Sequence, residues 1–186
     1  MKTLFFSLLF VCSTVVSAQS NWKADKAHSS VNFTVIHLMI SEVNGHFDTF
    51  DIEATADDTF SNPMFNTTIE TASINTGNER RDNDLRSERF FNAEANPTIT
   101  FKSTGVEKTS DNTYKLTGDL TMHGITKSIE LNGKIIGIIT NQRNQKLKAG
   151  MKFTTTLKRS DFDIGGSFAP VSDEVEVAIN LEMAQQ

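Results

Sequence analysis

The sequence predicts an all-β fold, an eight-stranded antiparallel β-barrel with a short helix between strands 3 and 4 and a long loop before the last strand. Three observations carry this. Apolar and polar residues alternate with period two along most of the chain, the pattern of half-buried antiparallel strands. Turn-forming clusters cut the pattern into eight runs. Eight strands with one dry face must hide that face, and closure into a barrel does so while removing exposed edges.

The runs follow in order. In 28–37, Val31, Phe33 and Val35 alternate with Ser30, Asn32 and Thr34. In 43–54, Phe47, Phe50 and Ile52 change parity, which predicts a β-bulge. The third run, 65–74, follows the turn Ser61-Asn62-Pro63. A helix comes next. Thr76 and Glu79 have the spacing of a capping box, and Leu85 leads to an apolar stripe ending at Phe90-Phe91. Asn96-Pro97 then returns the chain to extended structure. Runs 98–106 and 113–122 flank Ser110-Asp111-Asn112. In 125–139 the odd positions carry the apolar set through Ile135, Gly137 and Ile139. Run 147–158 sets Leu147, Ala149, Met151, Phe153, Thr155 and Leu157 against lysines and threonines. Gly165-Gly166 and Pro170 make 159–172 a loop, and 174–183 is the last strand.

Residues 1–18 have the layout of a signal peptide: Lys2, an apolar core over 4–11, and the small-residue site Val16-Ser17-Ala18. The apolar core is too short to span a bilayer. A single domain over 19–186, exported to the periplasm, is expected, and cleavage after Ala18 would also remove Cys12, the one cysteine. The net charge of −5 would become −6 with the loss of Lys2. That balance argues against nucleic acid, whose binding rests on Lys and Arg neutralising phosphates.

Ser103, Gly118, Gly133, Gly137, Ala149 and Thr155 are small residues at inward-facing positions. As a group they predict an under-filled interior, because a packed core would place larger side chains there. Eleven of the 14 phenylalanines lie beyond residue 18, against one tyrosine and one tryptophan, so the aromatic surface is dry. Phe33, Phe47, Phe101 and Phe153, with Met122 and Met151, are candidate tunnel residues. Val35 and Leu116 share their inward parity. His37 continues the parity of Val35 and is a candidate polar contact for the head of a ligand. His28, His37, His46 and His123 have no metal-site spacing, so no metal is expected, although His37 and His46 come from neighbouring strands and could approach one another. His123 belongs to a hairpin turn, where its ring can fix a loop. Arg80, Arg81 and Arg86 near Asp82, Asp84 and Glu88 read as ion pairs on an exposed helix, or, for Arg81 and Asp82, as a pin holding the helix across a barrel end.

An ordered set of residues resembles the YceI family of secreted bacterial proteins. The set is Trp22 with Asp25, His28-Ser29, Phe33 with His37, Gly45-x-Phe47 and Ser73-Ile74-x-Thr76. It continues with Arg81-Asp82-x-x-Leu85, Phe90-Phe91, 97–101, Gly118-x-Leu120-Thr121-x-His123-Gly124-x-Thr126 and Arg159-x-Asp161-Phe162. The resemblance implies a lipocalin-like barrel holding a long apolar molecule, such as a polyisoprenoid, a quinone-like lipid or a fatty acid derivative. Leu38-Met39-Ile40-Ser41 departs from the pattern, since many relatives have a glycine there, and implies a differently shaped mouth. The expected function is a non-catalytic periplasmic binding protein without stable membrane insertion, and the sequence is compatible with a homodimer. The alternatives are an enzyme on a lipid-like substrate and an integral outer-membrane barrel.

Overall fold

The computed structural model describes residues 19–166 and 170–186. The expected signal segment 1–18 lies outside the described residues. Among the described residues there are eleven strands: β1 (Ser20–Ala24), β2 (Ser30–His37), β3 (Ser41–Phe47), β4 (Phe50–Ala56), β5 (Met64–Glu70), β6 (Ile74–Asn75), β7 (Thr98–Lys108), β8 (Thr113–Met122), β9 (Ile125–Thr140), β10 (Leu147–Lys158) and β11 (Val171–Gln185). One α-helix, α1, covers Glu79–Arg86.

The first six strands are three long strands, each bent in the middle. β11 pairs with β2 through Val31↔Ile179 and with β1 through Ala24↔Met183. β3 pairs with β2 and β4 with β1, while β5 pairs with β4 and β6 with β3, all antiparallel. Eight bent or straight strands therefore form a closed antiparallel circuit, each beside its neighbour in sequence, with the last sealed against the first. Closure of this kind leaves one interior for all the apolar parity positions.

Three strand expectations change. The strand Ser20–Ala24 was not foreseen, yet it seals the circuit. The expected bulge in 43–54 is instead a break at Asp48-Thr49. There Asp48 N–H donates to Ser73 O at 3.0 Å, and Thr49 O accepts from Glu70 N–H at 3.0 Å. Phe47 and Phe50 both face inward because two residues of bent chain lie between them. The bulge in 125–139 falls where none was expected. Gly150 pairs with Gly137 but Met151 pairs with Ile135, so Ile136 is the extra residue. Parity reverses beyond it. Ile138 turns inward beside Ala149, and Ile139 faces out.

The helix starts two residues later than its sequence suggests, capped at Asn78 rather than Thr76. Asn78 caps it, its Oδ1 accepting from Arg81 N–H at 3.1 Å. Thr76 does not form the expected capping box. Its N–H and hydroxyl both donate to the buried Asp82 Oδ1, and Arg81 donates to the Thr76 hydroxyl oxygen and carbonyl. Arg86 donates to Ala72 O and Ile74 O. Arg81 and Arg86 thus bind the helix to the 72–76 segment rather than pairing along its exposed face. The helix ends at Arg86, so Phe90 and Phe91 lie in the following turn, where Phe91 N–H reaches Leu85 O at 3.0 Å.

One end of the barrel is sealed. Trp22 is 1% exposed, packs on Phe60 with ring centroids 4.5 Å apart, and donates its indole N–H to Ala56 O at 3.3 Å. Met151 and Met183 complete this plug. Tyr114 is also buried, and its hydroxyl has no partner among the described residues. Burial pushes the Tyr114 phenol well above the usual tyrosine range. Two results are expected in urea unfolding. Tyr114→Phe keeps or gains stability at neutral pH, by up to about 1 kcal/mol, because it removes an unpaired buried hydroxyl. The raised folded-state pKa contributes stability that is complete below the unfolded tyrosine value of about 10 and is lost as pH rises beyond it. The wild type therefore weakens above about pH 10 more than Tyr114→Phe does.

Candidate functional site

Above the sealed end the barrel is hollow. An inner cavity of about 110 Å³ is walled by Phe33, Phe47, Phe65, Phe101, Phe153, Leu116 and other apolar side chains, with Asn32, Thr67 and Thr155 the polar exceptions. An outer chamber of about 670 Å³ lies at the opposite end from the Trp22 plug, within the usual size range of small-molecule sites. Phe33, Phe47, Met122, Leu157 and Val177 line both, so the two spaces adjoin across these side chains.

The glycines create this room indirectly. A Cβ on Gly45 would fall 2.3 Å from the Phe33 ring, and one on Gly118 would fall 2.4 Å from the Phe101 ring. Both rings lie against the wall over a glycine instead of projecting across the lumen. Gly133 takes Tyr114 on one side and Phe153 on the other, each its cross-strand partner. Gly118 and Gly133 are therefore filled by neighbouring rings, not left as voids. Gly137 is exposed on the outer wall, Ala149 is packed in the core, and Ser103 bonds to the backbone of Phe65. Of the six small residues expected to leave space, Thr155 is the one that faces the inner cavity.

The nine candidate tunnel residues separate by depth. Phe33, Phe47 and Met122 border both spaces. Val35 and His37 lie in the outer chamber, and Phe101, Leu116 and Phe153 in the inner cavity. Met151 lines neither. It is fully buried between Ile135 and Leu181, within the plug, one inward position beyond Phe153 towards the sealed end. His37 and His46 do not meet. His46 is on the outer face, 3.0 Å from Asp48 Oδ1.

The outer chamber also contains residues that parity alone does not mark. Leu85, Phe90 and Phe91 from the helix and its turn form one wall, and Phe91 meets Phe47 edge-on at 6.2 Å. Arg80, Arg81, Arg89 and Arg159 line the same chamber, with Asp84 the acidic member. Arg89 lies over the Phe90 ring, 5.3 Å from its centre. Arg159 donates to Ile164 O at 2.9 Å and Gly166 O at 2.8 Å, and so shapes the loop it opens. His123, at the β8–β9 turn, has Nδ1 3.0 Å from Phe162 O and fixes the same loop from the other side. A helix carrying mainly polar residues gave no apolar period to mark this wall. The pair Phe90-Phe91 was the available signal.

A group of Asp25, His28 and Glu182 lies on the outside of the barrel. Lys148 Nζ occupies it, 2.5 Å from Glu182 Oε1 and 3.7 Å from Asp25 Oδ2. The hydrogen bond that Lys148 donates to Glu182 raises the pKa of the Lys148 ammonium above its ordinary range. The cluster is a surface ion-pair network, remote from the tunnel.

Comparison with known proteins gives the following. A family model described as a YceI-like domain matches residues 22–183. Protein YceI of Escherichia coli O157:H7 is 37% identical over 185 residues, covering 98% of this chain and 95% of the relative. The crystal structure of the Campylobacter jejuni YCEI protein is 34% identical, with a TM-score of 0.75, covering 81% of this chain and 89% of that one. A polyisoprenoid binding domain from Saccharophagus degradans, implicated in plant cell wall breakdown, is 14% identical with a TM-score of 0.66, covering 89% and 98%. At that identity the likeness is one of fold.

Proposed function

The chain belongs to the YceI-like family, and on that premise we propose that it is a non-catalytic carrier that holds a long apolar chain, of the polyisoprenoid, quinone-like or fatty-acid class, inside the barrel. The two adjoining cavities, dry and aromatic below and wider above, are the observation that supports this reading. The Saccharophagus degradans neighbour, which shares the barrel, supports the polyisoprenoid class. In this reading the inner cavity takes the end of the chain and the outer chamber takes the rest. Phe33, Phe47 and Met122 make the passage between them, and His37 faces the head. The protein acts in the periplasm after residues 1–18 are removed.

The outer wall bears on the alternative of an integral membrane barrel. Glu53, Lys102, Lys115, Asp119, Lys134 and Lys152 project outward and are exposed. A lipid-spanning barrel places its apolar face outward, and here the apolar face is inside.

Solvent extraction of the purified protein followed by mass spectrometry tests the carrier reading. A linear apolar molecule should be recovered at about one per barrel. Saturation of emptied protein with a long-chain polyprenol, at a hundredfold excess over Kd, should add about 2.7 kcal/mol, a Tm rise on the order of 5–10 °C. Empty extracts together with an unmoved Tm would remove the proposal. A carrier also returns its ligand unchanged after incubation, whereas an enzyme acting on a lipid-like substrate would not.

A further inference from the structure

The barrel wall has a seam between β9 and β10. The two strands pair from Leu147↔Thr140 only as far as Thr154↔Asn132. From that pair towards the mouth, β9 extends back to Ile125 and β10 extends on to Lys158. The pairings on either side continue to the strand ends, at Met122↔Ile125 between β8 and β9 and at Lys158↔Glu174 between β10 and β11. Residues 125–131 therefore stay with β8, and residues 155–158 stay with β11. Among the described residues neither stretch has a partner strand on the side that faces the other.

The side chains along the seam agree. Lys127 pairs with Leu120, so both project to the inner face of the sheet. Leu120 is buried and lines the inner cavity, whereas Lys127 is exposed. An inner-face lysine beside a buried leucine reaches water because no strand is paired across from it. An inward-pointing charge is also a device that keeps an unpaired edge from recruiting a foreign strand, so the sequence marks 125–131 as an edge inside a closed circuit.

The seam leads directly to the inner cavity. Ile129 and Leu131 on one edge and Thr155 and Leu157 on the other all line that cavity. Its lower limit is the Thr154↔Asn132 pair. Its upper limit is the 3₁₀ turn Arg159–Phe162, which follows β10 and is held to the β8–β9 turn by the contact of His123 Nδ1 with Phe162 O at 3.0 Å. The result is a framed window in the side of the barrel. The route from the mouth is more obstructed. Leu85, Phe90 and Phe91 wall the outer chamber, and Phe33, Phe47 and Met122 stand between that chamber and the inner cavity.

From this we infer that the seam between β9 and β10 is a side port through which the apolar chain slides into the inner cavity. The inference rests on the carrier reading and deepens it. The two edges share no ladder bond here, so they part without breaking one, and their free backbone groups stay hydrated in the open wall. A chain entering sideways need not thread its whole length end-first past three large side chains.

The test straps the seam. Cys12 is the chain's one cysteine, so Cys12→Ser gives a thiol-free background. Glu130→Cys/Thr156→Cys then places one exposed thiol on the outer rim of each edge. Bismaleimidoethane joins the two thiols across the opening. The control pair is Lys134→Cys/Lys152→Cys, opposed within the paired part of the same two strands and joined by the same reagent. Association and dissociation rates of a fluorescent polyprenyl probe are measured before and after bridging. The expected result is that the 130–156 strap slows both rates at least tenfold and leaves Kd within twofold, while the 134–152 strap changes neither rate by more than twofold. Unchanged rates in the 130–156 strapped protein, or equal slowing by both straps, overturns the port. Loss of probe binding in the unbridged proteins and the wild type would instead remove the carrier reading. Amide hydrogen exchange of the unliganded wild type gives a second measurement that needs no bridge. The seam-facing amides of 126–131 and 155–158 should exchange at least a hundredfold faster than the paired amides of β8. Equal protection would mean that the edges pair in solution, which also overturns the proposal.

Discussion

Thr155→Phe is expected to abolish tight binding of a long apolar chain while leaving the barrel as stable as before or more so. Thr155 faces the inner cavity from β10, one inward position above Phe153 and one below Leu157. A phenyl ring there occupies the narrow section. The end of the ligand then stops in the outer chamber, and about four methylenes that would be buried remain outside. At about 0.8 kcal/mol each, this is about 3 kcal/mol, or roughly a hundredfold in Kd. Stability moves the other way. Filling a void of about 110 Å³ at about 24 cal/mol per Å³ returns at most about 2–3 kcal/mol, less whatever strain the ring introduces. Thr155→Val keeps the volume and should bind as the wild type does. Titration of a fluorescent polyprenyl probe together with thermal unfolding reads both quantities. Unchanged affinity in a folded Thr155→Phe protein would mean that the ligand does not use the inner cavity.

Trp22→Ala should cause the largest loss of stability of any single change considered for this barrel. β1 is five residues long and touches the circuit on both sides, so the seal between first and last strands depends on few groups. Trp22 supplies most of its buried surface. Its loss removes the contact with Phe60 and the hydrogen bond to Ala56 O, and it leaves a cavity at the plugged end. Large aromatic truncations in cores cost about 3–5 kcal/mol, a substantial part of the roughly 5–15 kcal/mol that holds a domain folded. For a chain of this size that corresponds to a Tm fall on the order of 10 °C. Trp22→Phe keeps a ring against Phe60 and loses the N–H donor, so it should fall between the two. Hydrogen exchange gives a second readout, because β1, β4 and the 181–185 end of β11 should lose protection first. A loss below about 1 kcal/mol would show that β1 does not close the barrel.

Much of the fold was legible because a strand's period is short and local. Val175, Val177, Ile179, Leu181 and Met183 could be placed on one face of β11 without knowing any neighbour, and they are there. His123 beside Gly124 marked a turn whose ring fixes a loop, and it bonds Phe162 O. Failures occurred where the answer lay in a pairing. Five residues around Trp22 are too few for a period, and only their two partner strands make them β1. The parity change at Phe47 and Phe50 has two geometric causes, a bulge or a break, and hydrogen bonds to Ser73 and Glu70 select the break. Ile139 kept the parity of its run in sequence, but an extra residue at Ile136 turned it outward.

The site divides along the same line. Phe33, Phe47, Phe101 and Phe153 are inward by parity alone, so the interior wall could be read one strand at a time. Depth along the axis could not, which is why Met151 was grouped with them although it belongs to the plug. Nor could the meaning of the glycines be read. Gly45 and Gly118 leave the lumen open because Phe33 and Phe101 lie over them, and which ring covers which glycine depends on cross-strand register.

By itself, then, the sequence determined that this chain is a ring of antiparallel strands with a dry inner face, because alternation is written residue by residue. Only the tertiary structure decided that the ring seals through Ser20–Ala24, that one end is plugged and the other opens among arginines, and that two adjoining cavities lie between them. Those outcomes depend on which backbone groups pair across the circuit and how far each strand slides against the next, and no single segment carries that information.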